Sequence, residues 1–119
     1  MSHRLNQIQE LIKRELGQII KKDFDCALGI LITITEVIVD PELEQAKIMI
    51  SVYPEDQRRK MMRELDKYVI DFQRQLNKRL KMRFVPKIFF RIDVRLKDAD
   101  EVEKIMENLQ NDDTGLVVK

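Results

Sequence analysis

Residues 76–95 read LNKRLKMRFVPKIFFRIDVR, and the change of rhythm inside this stretch decides the fold. Leu76 and Leu80 close a helical pattern that begins near Glu55. Val85-Pro86 stops it, because a residue before proline is pushed out of the α region. From Lys87 the period becomes two: Ile88, Phe90, Ile92 and Val94 alternate with Lys87, Phe89, Arg91, Asp93 and Arg95, the pattern of a strand. A strand reached through so long a helix cannot extend a hairpin by a tight turn. It must return to the sheet across the helix, in a right-handed crossover.

Upstream, Leu5, Ile8, Leu11, Ile12, Leu16, Ile19 and Ile20 recur at three- and four-residue steps, predicting a helix over His3 to Lys22 with Ser2 as its cap. ILITITEVIV, residues 30–39, is β-branched and alternating, with Ile30, Ile32 and Ile34 on one face and Leu31, Thr33 and Thr35 on the other. Asp40-Pro41-Glu42 supplies turn chemistry, and AKIMISVY, residues 46–53, resumes the alternation, so the two strands pair antiparallel. Pro54 opens the long helix, expected over Glu55 to Lys81. Asp98 and Asp100 can cap a last helix bearing Val102, Ile105, Met106 and Leu109, and the residues after Gln110 read as a tail. The expectation is one α+β domain over residues 1–110, in the order α-β-β-α-β-α. A three-stranded sheet carries the helices on one face, and 111–119 form a flexible tail.

The 119 residues are enough for a real core, and a charged share of 36% against an apolar share of 44% describes a domain whose exposed positions are mostly ionised. No apolar run is long enough to span a membrane and no apolar secretory core opens the chain, so a cytoplasmic protein is expected. One cysteine, Cys26, and one histidine, His3, provide neither an internal disulfide nor a closed zinc site. No cofactor is implied. Catalysis finds no support in a phosphate-binding glycine loop or a nucleophile with a neighbouring histidine.

A formal net charge of +1 hides strong segregation. Residues 1–56 hold six Lys/Arg against ten Asp/Glu, residues 57–97 fourteen against four, and residues 98–119 two against seven, giving net charges of −4, +10 and −5. The local field, not the total, attracts a polyanion. With about 100° per residue, Met61, Leu65, Tyr68, Val69, Phe72, Leu76 and Leu80 form the apolar arc of the long helix, while Arg63, Lys67, Arg74, Lys78 and Lys81 cluster opposite. Ile70 falls on the polar side and Arg79 at the edge of the apolar arc, which a kink near residues 68–71, or fraying after Leu76, would rephase. The candidate set for RNA phosphates is Arg63, Lys67, Arg74, Lys78, Lys81, Arg83, Lys87 and Arg91, with Arg79 joining if it snorkels to solvent. Its bland counterpart is a solvated charged face. Phe89, between Lys87 and Arg91, either stacks on a base or is covered by a loop or by the last helix.

The element order with its basic second helix resembles a type II KH domain. Arg14-Glu15-Leu16, Asp25 to Leu28, Thr33-Ile34-Thr35-Glu36-Val37, Asp40 to Ile48, Leu80 to Phe90, and Asp93 resemble, in order and spacing, the motifs of the ribosome-binding factor A family, and the resemblance covers about residues 4 to 109. The resemblance implies a non-catalytic bacterial assembly factor. Such a factor binds the small ribosomal subunit or its ribosomal RNA near the neck during late maturation, with no small-molecule substrate. It also implies an Ala-x-Gly kink at the positions held here by Tyr68-Val69-Ile70; neither that signature nor a KH Gly-x-x-Gly loop is present, since the only glycines are Gly17, Gly29 and Gly115. A monomer is expected. The alternative is a KH-shaped protein-interaction module that docks an acidic protein through the basic helix.

Overall fold

The computed structural model describes residues 2–94. In chain order these form α1 (Ser2–Asp23), β1 (Leu31–Val39), β2 (Gln45–Tyr53), a 3-10 turn (Glu55–Gln57), α2 (Arg58–Arg79) and β3 (Lys87–Ile92). The expected last helix, the tail and Arg95 lie outside the described residues. The sheet order is β1-β2-β3, with β1 antiparallel and β3 parallel to β2. The crossover through α2 is thus the parallel connection expected of Lys87 to Ile92.

Both helices pack on one face of the sheet. Alternation puts Ala46, Ile48, Ile50 and Val52 of β2 and Ile88, Phe90 and Ile92 of β3 into the core, where they meet Ile12, Leu16 and Ile19 of α1 and Met61, Leu65, Phe72 and Leu76 of α2. Phe24, Tyr68, Phe72 and Phe90 form a chain of ring contacts with centroids 5.3, 5.5 and 6.4 Å apart, which joins the end of α1 to β3 through α2. Such offset and edge-on pairs add to their area burial.

β1 departs from strict alternation. Ile34 pairs with Ile50 and Glu36 with Met49, so Thr35 is the extra residue of a β-bulge. The bulge resets the phase: Ile32 and Ile34 face the core before it, Val37 and Val39 after it. It also re-aims Thr35, whose hydroxyl donates to Asp93 just past β3 and lies 3.3 Å from the Met49 carbonyl. Asp93 is buried, 7% exposed, and its amide continues the ladder by donating to the Ile50 carbonyl at 2.8 Å.

The long helix begins and ends inside its expected limits. Pro54, at φ −72° and ψ 159°, is still extended; a 3-10 turn follows, and α2 starts at Arg58, not Glu55. At the other end Leu80 turns extended, with ψ 133°, while its amide still donates to the Leu76 carbonyl at 3.0 Å. That turn drops Leu80 into the core, 4% exposed, and releases Lys81 from the helix. α2 runs as a single α-helix through Tyr68, Val69 and Ile70. Ile70 stays where an unbroken wheel puts it, 69% exposed, so no rephasing kink is needed.

Gln73 secures the outer edge of β3. The amides of Lys87 and Asp93 donate toward β2, to the carbonyls of Glu44 just before it and Ile50 within it, so the even-numbered residues between them turn their backbone outward. Gln73 Oε1 accepts from the Ile88 amide at 2.9 Å, and Nε2 donates to the Pro86 carbonyl at 3.1 Å. On the opposite edge, Gln9 Oε1 accepts from the Val39 amide at 2.9 Å and Lys13 Nζ reaches the Thr35 carbonyl at 3.5 Å. α1 therefore covers the second half of the outer edge of β1. The first half, at Ile32 and Ile34, opens onto a groove of about 480 Å³ lined mainly by apolar residues, among them Ile20, Phe24, Ile30 and Leu31.

Gln73→Ala strips the β3 edge of a donor and an acceptor at once, and part-buried groups left without partners cost about 1–3 kcal/mol. The urea midpoint of the variant is expected to fall accordingly, with the slope unchanged; an unaltered midpoint would show that water replaces the amide without loss. Cys26 offers a second check. Burial, then the neighbouring Asp25 carboxylate, pushes its thiol above the usual value, so less thiolate is present at a given pH. Iodoacetamide should alkylate the folded chain more slowly than the urea-unfolded chain at pH 8, and the folded rate should rise at higher pH. Equal rates in the two states would contradict this environment.

Candidate nucleic-acid interface

α2 presents three flanks. Its apolar arc faces the sheet, the Gln73 side faces β3, and the side carrying Gln75 and Arg79 faces α1, where Gln75 donates to Asp23 and Arg79 to Glu15 and Gln18. What remains is the outer face. Arg63, Lys67, Arg74 and Lys78 lie on it and are all exposed. Lys60 shares the helical position of Lys78, five turns away, and is exposed too; it extends the stripe at its N-terminal end. From Lys60 to Lys78 the row is about 27 Å long. The sequence already held Lys60 inside the expected helix, so the same wheel that found Lys78 finds it.

Pairing separates these cations into two groups. Lys67 lies 3.2 Å from Glu64 one turn earlier, an exposed pair of small energetic weight. Among the described residues, the side chains of Lys60, Arg63, Arg74, Lys78, Lys81 and Lys87 make neither a hydrogen bond nor an ion pair.

Arg79 does not snorkel outward. Nη1 sits 3.2 Å from Glu15 Oε1 and 2.8 Å from Gln18 Oε1, and its side chain is 28% exposed. Its place at the edge of the apolar arc turns it toward α1, where it ties the two helices together.

Nor do the β3 cations join the helix stripe. Ile88, Phe90 and Ile92 point toward the helices, so Lys87, Phe89 and Arg91 belong to the other face of the sheet. Lys87 is exposed there. Arg91 is half-buried at the edge of β3, where Nη1 donates to the Phe90 carbonyl at 2.8 Å and the guanidinium lies 4.7 Å from the centre of the Phe89 ring. Burial lowers its pKa and the carboxylate of Asp66 on α2 draws it back up. Among the described residues it is the Arg91 guanidinium that lies against Phe89; the last helix, the other cover expected for the ring, lies outside them. Lys87 therefore faces away from the α2 row, while Arg91 sits at the β3 edge within electrostatic reach of Asp66 on α2.

Between them runs the segment from Leu80 to Pro86. Leu80 and Pro86 are buried, and Met82 and Val85 pack partly against the core. Lys81, Arg83 and Phe84 face outward, all exposed, with the Arg83 guanidinium 5.4 Å from the centre of the Phe84 ring. No described group of three or more His, Cys, Asp or Glu could hold a metal ion. No described helix is long and apolar enough to cross a membrane.

The profile of the family described as "Ribosome-binding factor A" matches residues 4–106. Ribosome-binding factor A of Desulforamulus reducens is 32% identical over 113 residues, covering 93% of this chain and 93% of that protein. Among solved structures, the crystal structure of ribosome-binding factor A from Thermus thermophilus superposes with a TM-score of 0.64 at 20% identity, over 74% of this chain and 93% of that one. A second Thermus thermophilus coordinate set, a homology model fitted into the cryo-EM map of a complex with the 30S subunit, gives 0.56 at 19% identity, over 68% and 86%. The parallel β2-β3 pair, the crossover helix and the match along most of the chain point the same way: this chain belongs to the ribosome-binding factor A family.

Proposed function

We propose that this chain is a ribosome assembly factor that binds the small ribosomal subunit, through its ribosomal RNA, during late maturation, and that it acts by binding alone. The observation that carries the reading is the row on α2: Lys60, Arg63, Arg74 and Lys78 without carboxylate partners among the described residues, followed by Lys81. A row of fixed cations on one rigid helix matches the regular charge of a nucleic-acid backbone, and contacts to phosphate position the protein without reading sequence. Family membership supports the ribosome as partner, as does the 30S complex of the Thermus relative. The proposed contacts are Arg63, Lys67, Arg74, Lys78, Lys81 and Arg83, with Lys60 added. Lys87, on the other side of the sheet, reaches RNA only where it wraps the molecule, and Arg91 lies at the β3 edge between the two faces. Arg79 serves the fold.

Five phosphate contacts give a log-affinity against log-salt slope of roughly −3.5 to −4.5, so fourfold more salt should weaken binding about a hundredfold or more. Co-sedimentation with small subunits across a salt series measures it; no association at low salt would refute the reading. The triple variant Arg74→Glu, Lys78→Glu, Lys81→Glu should lose binding and flatten the slope. Small-subunit RNA fragments should displace the wild type, and displacement by polyglutamate but not by RNA would point to an acidic protein partner instead. Arg79→Ala should behave oppositely: about 1 kcal/mol less stable in urea, with affinity for the subunit within twofold of the wild type.

A further inference from the structure

We propose that Phe84 is a stacking site for an unpaired nucleobase. The inference rests on the RNA-binding reading above and adds to it a contact that phosphates do not supply. Phe84 is 74% exposed, whereas nearly every other apolar side chain of its segment found cover: Leu80 is 4% exposed, Pro86 is fully buried, and Met82 and Val85 pack partly on the core. The fold does not use the ring.

The segment that presents it is held at both ends. The Leu80 amide bonds the last turn of α2, Gln73 donates to the Pro86 carbonyl, and the Lys87 amide donates to Glu44 of the β1–β2 connection. A ring on a pinned segment loses little further freedom when something stacks on it.

Its surroundings select the occupant. Arg83 lies 5.4 Å from the ring centre, Lys81 and Lys87 stand three positions away on either side, both exposed, and no acidic residue occurs in sequence between Asp71 and Asp93. An aromatic face beside a guanidinium suits a base and its adjoining phosphate, since every base offers a π-face and arginine supplies a cation–π contact. The Phe89–Arg91 pair shows the contrast. There the guanidinium is committed to the Phe90 carbonyl and the ring is half-buried, while Arg83 has no hydrogen bond or ion pair among the described residues.

Stacking and charge are separated by a salt series on the full chain with three probes: an unstructured oligoribonucleotide, a blunt RNA duplex, and inorganic polyphosphate. Phe84→Ala should weaken binding of the unstructured oligoribonucleotide roughly fivefold to a hundredfold at every salt concentration, leaving the slope unchanged. Duplex and polyphosphate affinities should stay within twofold. Phe84→Trp should retain affinity and show indole fluorescence quenched by the oligoribonucleotide. Equal affinity of Phe84→Ala and wild type for the oligoribonucleotide would overturn the stacking site and leave the phosphate reading intact. Full affinity in Phe84→Leu would overturn it as well, by showing an apolar contact without stacking. Failure of the wild type to bind any of the three would remove both. Because the ring is exposed, all three variants should fold, and circular dichroism verifies this before binding is measured.

Discussion

Strand β3 lies parallel to β2, and a parallel neighbour can be reached only by a connection that carries the chain back along the sheet. Here that connection is α2, whose 22 residues span about 33 Å against roughly 30 Å for the nine residues of β2. The match in length leaves little slack. The helix must lie on the sheet, so one side is committed to Ile48, Ile50 and Phe90, another to α1 and a third to the edge of β3. Only the outer face is free to carry charge, and it carries the cationic row. The electropositive surface is therefore a by-product of how the sheet is closed.

The order of elements was legible because each boundary has a local chemical cause. Val85-Pro86 separates the helical and alternating periods, and the Asp40–Gln45 connection carries its own instructions: Asp40 Oδ1 accepts from the Glu44 and Gln45 amides at 2.7 and 3.0 Å. Less legible were features set by contacts between elements. The bulge at Thr35 leaves a trace, since the core residues change from even-numbered Ile32 and Ile34 to odd-numbered Val37 and Val39, but a two-residue period read through from Ile30 passes over it. The extended turn at Leu80 leaves none: its neighbours are good helix formers, and burial of one leucine outweighs their propensity.

For the interface the same division holds. A wheel assigns Arg63, Arg74 and Lys78 correctly, because within one helix sequence spacing is spatial arrangement. It cannot say that Glu15 and Gln18, more than sixty positions earlier, stand ready to take Arg79. Alternation gave Lys87 and Arg91 one common face, opposite Ile88 and Phe90, and the structure agrees; what spacing along the chain could not convey is that Lys87 presents its charge away from α2 while Arg91 at the strand edge comes within reach of Asp66.

The partly covered edge of β1 bears on colloidal behaviour. An open strand edge is a template for pairing with a second molecule, and β-branched residues beside an apolar groove make an inviting one. Here the template is short: Gln9 and Lys13 occupy the edge beyond it, and the bulge at Thr35 ends the regular spacing that a growing ladder would need. Only Ile32 and Ile34, whose side chains pack on the core, turn their backbone groups toward this open stretch, too few to seed a fibre, so an apolar cleft can lie beside the edge without inviting self-assembly along it.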